Sequence, residues 1–150
     1  MLNRLRDVFA SFQSHDVRYV VIGGIAAVLH GVPRATFDLD ILIEATEPNA
    51  ERLLQALRTA RFATADLIDA QGLLANEITV FNDRVRIDVQ TATPGLLFAD
   101  AWSRRETMAY QGQEFSVASR QDVIASKRAA GRQKDLEDVR VLELGPEKPS

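Results

Sequence analysis

The tripeptide Asp38-Leu39-Asp40, fourteen residues after the pair Gly23-Gly24, constrains this chain more than any other feature. Each lies against a short apolar run, Tyr19-Val20-Val21-Ile22 before the glycines and Leu39 to Ile43 at the acids. Such runs read as buried strands. Side chains alternate along a strand, so Asp38 and Asp40 are expected on one face, about 7 Å apart. Two carboxylates so placed repel each other unless a cation lies between them. Hard oxygen donors of this kind suit Mg²⁺, which keeps several waters and completes its shell with substrate phosphates. A glycine pair between a strand and a helix allows close backbone approach and turns helical N–H groups toward an anion. Together these features point to metal-dependent chemistry on a nucleotide.

The surrounding pattern predicts a mixed α/β order. Leu2, Leu5, Val8, Phe9 and Phe12 recur at helical spacing up to Ser14. Strands follow over Arg18 to Ile22 and Phe37 to Ile43, separated by a short helix from Ile25 to His30 that Gly31 and Pro33 end. Pro48 opens an amphipathic helix carrying Leu53, Leu54, Leu57 and Ala60; Phe62 to Gly72 is ambiguous. Glu77–Phe81 and Arg84–Gln90 read as a hairpin about the two-residue turn Asn82-Asp83. In its second arm Val85, Ile87 and Val89 face one way and Arg84, Arg86, Asp88 and Gln90 the other. Pro94 to Trp102 forms a short helix or loop, and a second hairpin joins Arg105–Tyr110 to Glu114–Val117 through Gln111-Gly112-Gln113. Ser119 caps a helix that runs from Val123 to Ala130 and stops at Gly131, and a last helix spans Gln133 to Leu144. The expectation is an α+β (mixed α/β) fold, a small mixed sheet flanked by helices, in one domain over residues 1–145. Residues 146–150, with Pro146 and Pro149, read as a frayed tail.

Composition narrows the setting. In 150 residues no apolar run approaches a membrane span, and no signal-peptide pattern opens the chain. Cysteine is absent, which removes disulfides, thiolate chemistry and Cys-based zinc sites, and makes a cytoplasmic location the default. The net charge of −3 differs from the basic footprint of a dedicated nucleic-acid binder. The three lysines, Lys127, Lys134 and Lys148, all lie near the C-terminus, two of them beside Arg128 and Arg132.

A third carboxylate would complete a metal site, and Asp88 lies mid-strand between Ile87 and Val89, where burial is costly without a partner. If its strand neighbours that of Asp40, three acids converge on one or two metal ions, a standard arrangement for in-line displacement at phosphorus. Singly each signal is ordinary: a Gly-Gly turn, an acid pair at a strand start, an outward-facing hairpin Asp. Their conjunction is what carries weight. His30 and His15 read as helix-end residues rather than ligands, and Trp102 with Phe98 as core or an edge patch.

Three segments, Val21-Ile22-Gly23-Gly24, Arg34-Ala35-Thr36-Phe37-Asp38-Leu39-Asp40-Ile41 and Ile87-Asp88-Val89, resemble the nucleotidyltransferase fold of the polymerase-beta superfamily. The Arg-x-Thr-x-Asp-x-Asp spacing and the stretch from Ser126 to Asp138 are similar to small bacterial abortive-infection and toxin-type members. The resemblance implies Asp38, Asp40 and Asp88 as metal ligands and catalytic acids, and Gly23 and Gly24 at the triphosphate. It also implies Arg34 and Thr36 beside the nucleotide, Lys127 and Lys134 facing phosphates, and Asp135 orienting a basic group. Two departures stand out: Gly24 where many relatives carry Ser, and Phe37 where they often carry a polar or basic residue.

The sequence therefore reads as a minimal nucleotidyltransferase using Mg²⁺ or Mn²⁺ to move a nucleoside monophosphate from an NTP to a hydroxyl on protein, an RNA end or a small molecule. The resemblance adds a toxin–antitoxin or phage-defence setting with a cognate partner. The rival reading is a non-catalytic module of the same fold, acting as an antitoxin or regulatory partner.

Overall fold

The computed structural model describes residues 2–145; the tail expected at 146–150 lies outside the described residues. After a 3₁₀ turn at Leu2–Arg4 come α1 (Arg6–Ser14), β1 (Tyr19–Ile22), α2 (Gly23–Leu29), β2 (Leu39–Ile43) and α3 (Glu47–Thr59). A second 3₁₀ turn, Ala63–Leu67, and α4 (Ala70–Ala75) lead to the hairpin of β3 (Ile78–Asn82) and β4 (Arg86–Gln90). Then follow α5 (Phe98–Arg104), the hairpin of β5 (Glu106–Tyr110) and β6 (Gln113–Val117), α6 (Arg120–Ala130) and α7 (Gln133–Leu144). The six strands form one mixed sheet in the order β3-β4-β2-β1-β6-β5, giving the expected α+β fold.

Each strand's burial follows its place in that order. All four residues of the central β1 are buried, because helices cover both its faces. On one face Tyr19 meets α1, whose Phe9 stacks on Phe115 of β6 with ring centroids 4.4 Å apart. Phe9, Phe12 and Leu5 are almost wholly buried there, each contributing about 2–3 kcal/mol relative to exposure. The opposite face carries Val20, Ile22, Asp40 and Leu42, and α2 and α6 lie over its β1–β2 half. Over β4 and the edge strand β3 that face is open: burial in β4 alternates, with Ile87 and Val89 inside and Arg86, Asp88 and Gln90 toward the opening. The uncovered half of the sheet is where a cleft forms.

Capping agrees with the sequence at α3 and α6. Thr46 accepts from Asn49 N, with Pro48 in the first turn of α3. Ser119 accepts from Asp122 N, and Gly131 ends α6 at φ +69°. Several boundaries differ from expectation, among them the start of α6, at Arg120 rather than Val123. α2 begins at Gly23, two residues early. β2 begins at Leu39: its pairing with β4 starts at Leu39–Ile87 and its pairing with β1 at Asp40–Ile22, so Phe37 and Asp38 lie before both ladders. The first hairpin turns through Asp83–Val85, since Asn82 already pairs with Arg86. The second turns on Gln111-Gly112 alone, both at positive φ, as a two-residue hairpin loop requires. The ambiguous segment resolves into the Ala63–Leu67 turn and α4.

Candidate active site

The parallel pairing of β2 with β4 sets Asp40 opposite Asp88, on the same face and in the same register. This is the juxtaposition that the lone strand acids required. Asp38 stands two residues before Asp40, exposed in the loop rather than on the strand. The antiparallel β1–β2 pair places Ile22 against Asp40, so the residue after Ile22 must pass directly under the Asp40 side chain. That residue is Gly23, at φ +69°, and a Cβ there would collide with the Asp40 carboxylate. Both the backbone angle and the contact call for glycine.

Crowding shows in the charge of Asp40. Burial first, then repulsion from Asp88 and Asp38 and a hydrogen bond with Asp88, push its carboxyl up to about 6 against the attraction of Lys127. Asp88 has a cation of its own: Arg86 donates to it from Nε at 2.9 Å and Nη2 at 3.3 Å. Arg84, expected on the same side, turns away instead, stacking on Phe62 and donating to the Ala60 and Arg4 carbonyls.

The facing wall comes from α6 and α7. Lys127 is buried, with Nζ 2.8 Å from Asp138 Oδ2 and 3.6 Å from Asp135 Oδ1. Asp138 also receives Arg34 through both Nε (3.1 Å) and Nη2 (2.8 Å). Asp135 receives Arg132 through Nε (2.6 Å) and Nη2 (3.2 Å). A continuous chain Arg34–Asp138–Lys127–Asp135–Arg132 therefore ties the loop after α2 to both helices. Burial alone would raise the Asp138 carboxyl, but hydrogen bonds and charge from Arg34 and Lys127 hold it below the usual range. The same opposition, with Arg132 and Lys127 as the cations, holds Asp135 down. Arg34 in turn lies over Gly24, where a Cβ would come 2.9 Å from Thr36 Oγ1 and 3.3 Å from Arg34 Nη2.

Between the acids and this wall lies a cleft of about 440 Å³, lined by Gly23, Gly24, Arg34, Thr36, Asp38, Asp40, Asp88, Lys127 and Lys134. The acids, glycines and basic residues that the resemblance implied for the site thus line one cavity, with Lys134 at its exposed rim. The two residues noted as departures differ in effect: Gly24 makes room for Thr36 and Arg34, while Phe37 stays 70% exposed and does not pack.

Sequence reasoning missed Asp138. The available signal was its i,i+3 spacing from Asp135, which puts two acids on one stripe of α7. Both histidines are helix-end residues, as the sequence suggested. His30 caps α2 and bonds the Ala118 carbonyl at 2.8 Å, and His15 meets the Ser11 carbonyl at 2.9 Å. Trp102 stacks on Phe98 beneath Arg105, in a patch outside the cleft.

Among the described residues no three Asp, Glu or His side chains converge tightly enough to form a ready metal shell. Asp88 is turned onto Arg86 and Asp38 lies off the strand. The donor chemistry nevertheless fits a hard divalent cation, because Asp40 is a half-buried carboxylate whose nearest charged neighbours include two more acids.

The sequence profile of a family described as nucleotidyltransferases of unknown function (DUF6036) matches residues 3–145. The fold is similar to that of a candidate nucleotidyltransferase (TM1012) from Thermotoga maritima, with TM-score 0.61, 16% identity and coverage of 95% of this chain and 92% of that one. It is also similar to an antigenic nucleotidyltransferase-like protein from Paracoccidioides brasiliensis, with TM-score 0.58, 18% identity and coverage of 98% and 78%. At such identities the likeness concerns the fold. No curated protein matches the chain significantly. Among the described residues no helix is long and apolar enough to cross a membrane.

Proposed function

Because the chain belongs to this nucleotidyltransferase family, we propose that it transfers a nucleoside monophosphate from an NTP to an acceptor hydroxyl, releasing pyrophosphate, with Mg²⁺ or Mn²⁺ held by Asp40, Asp38 and Asp88. The observation that carries the proposal is the pairing of Asp40 with Asp88 across a cleft from the Arg34–Asp138–Lys127–Asp135–Arg132 chain. Acids for a cation stand on one side, and pre-oriented cations for phosphate on the other.

When bound, the metal supplies charge neutralisation at the phosphates and a lowered pKa for the attacking hydroxyl. The chain's own residues do the rest. Arg34 presents its guanidinium beside Gly24 and Thr36, held at Nε and Nη2 by Asp138. Lys127, fixed between two carboxylates, spends little side-chain entropy in meeting a phosphate. Asp88 lies on the side of Asp40 away from the glycines; in this reading it receives the acceptor's proton. Its present partner Arg86 must yield for it to do so.

That same ion pair favours a second reading, the non-catalytic module, because it neutralises the third acid without a metal. One experiment separates the two. The purified protein is incubated with each α-labelled NTP, Mg²⁺ and a cell extract, beside an Asp38→Ala/Asp40→Ala control. Label on an acceptor only with both acids present supports the transferase; NTP binding without transfer supports the module.

A further inference from the structure

The order of the strands orients the reaction. Across the cleft face, Gly23 follows β1, Asp40 lies on β2, Asp88 on β4 and Val80 on β3, each one strand further along. Adjacent strands are about 4.8 Å apart. Phosphoryl transfer runs with the attacking and leaving oxygens roughly in line. In the proposed reaction the leaving pyrophosphate lies at the Gly23–Gly24 end, beside Arg34 and Lys127. The acceptor must then arrive from the opposite end, over β4 and β3, to reach Asp88.

What that end offers is a shelf of six side chains. β3 contributes Ile78, Val80 and Asn82, which pair in register with Gln90, Asp88 and Arg86 of β4. Ile78 is 53% exposed and Val80 45% exposed, although both are aliphatic and lie on a sheet face. Arg86 is the only cation among the six, and in the chain as it stands it is paired with Asp88. Among the described residues no hydrogen bond to protein engages the side chains of Asn82 or Gln90. The outer edge of β3 pairs with no strand of the sheet. A nucleic-acid acceptor would need several cations here to meet its phosphates, and the shelf has Arg86 alone. A polypeptide needs apolar contact and amide partners, and the shelf supplies both.

We propose that the acceptor is a polypeptide, whose Ser, Thr or Tyr hydroxyl is brought to Asp88 across the Ile78–Val80 shelf. The inference rests on the transferase reading above. The bond formed joins the side-chain oxygen to the α-phosphorus; the bond broken joins that phosphorus to the pyrophosphate, and the hydroxyl proton passes to Asp88.

The test uses the full chain with α-labelled NTPs, Mg²⁺ and a cell extract, followed by separate protease and ribonuclease digestion. Acid-stable label that protease releases and ribonuclease does not is expected, on this chain or on another protein. Val80→Lys, at a position 45% exposed, adds a cation to the shelf and, in a variant shown to be folded, is expected to lower labelling about tenfold. Ribonuclease-sensitive label, label confined to a small molecule, or labelling strengthened by Val80→Lys would overturn the inference while leaving the transferase reading in place. No transfer to any acceptor, from a folded protein, would overturn both.

Discussion

Asp40→Asn offers the sharpest stability test, because its effect follows from geometry already described. The wild-type carboxyl titrates at about 6 in the folded chain, against about 3.9 when unfolded. A folded-state value raised in this way favours folding fully below pH 4, and that contribution is lost as pH rises through 6. The difference between the two states corresponds to about 3 kcal/mol. In chelator at pH 8 the charged Asp40 therefore destabilises the metal-free protein by about that amount, and Asn removes the penalty while keeping the shape. For a chain of this size 1 kcal/mol moves the melting temperature by about 2–4 °C, so the variant is expected to melt roughly 8 °C above wild type. The assay is thermal denaturation at pH 8 and pH 4, with chelator or with Mg²⁺. The gap is expected to close at pH 4, and Mg²⁺ to raise the wild-type midpoint far more than that of the variant. A variant no more stable than wild type at pH 8 in chelator would refute the reasoning, because neither burial nor the neighbouring acids would then penalise the charged Asp40.

Other perturbations test neighbouring parts of the site. Gly23→Ala places a Cβ into the Asp40 carboxylate at a positive φ. It is expected to destabilise the fold by more than about 1 kcal/mol and to abolish Mg²⁺-linked stabilisation; denaturant midpoints with and without the metal check both effects. Asp138→Asn leaves the buried Lys127 with only the more distant Asp135 and releases Arg34. A loss of roughly 3 kcal/mol follows from removing one partner of a buried pair. NTP affinity is expected to fall at least tenfold, readable by calorimetry with a non-hydrolysable NTP. Since Asp138 and Asp135 are held below the usual carboxylate range, their stabilisation is complete above pH 4 and is lost on further acidification. Asp138→Asn should flatten that acid limb.

Local pattern carried most of the fold. Period-two and period-3.6 runs, Ser119 before α6, Pro48 at α3 and Gly131 after α6 each marked an element without reference to the rest of the chain. Gly23-Gly24, Asp38, Asp40 and Asp88 marked the cleft in the same way. What escaped depends on neighbours far apart in sequence. The β2–β4 register that sets Asp40 against Asp88 spans 48 positions and leaves no periodicity to read. Asp38 falls before the strand because the ladders start at Leu39 with Ile87 and at Asp40 with Ile22, limits set by the partner strands rather than by the residues around Asp38. Asp138 looked like an ordinary helix acid until the fold brought Arg34 and Lys127 onto its two oxygens. The hairpin alternation put Arg86 and Asp88 on one side, as the structure has them, but it misplaced Arg84, which the turn at Asp83–Val85 carries away to Phe62 and the Ala60 carbonyl.

The central claim is that the acid pair and the facing cations serve transfer of a nucleotidyl group. Its most direct measurement follows both ends of the substrate, with α-labelled and γ-labelled NTP incubated in parallel with the wild-type chain, extract and Mg²⁺. Covalently attached α-label and an equal amount of γ-label in pyrophosphate, both lost in chelator and in Asp38→Ala/Asp40→Ala, is the predicted result. γ-Label released as orthophosphate, or transfer that persists without the metal or without the acids, would contradict it.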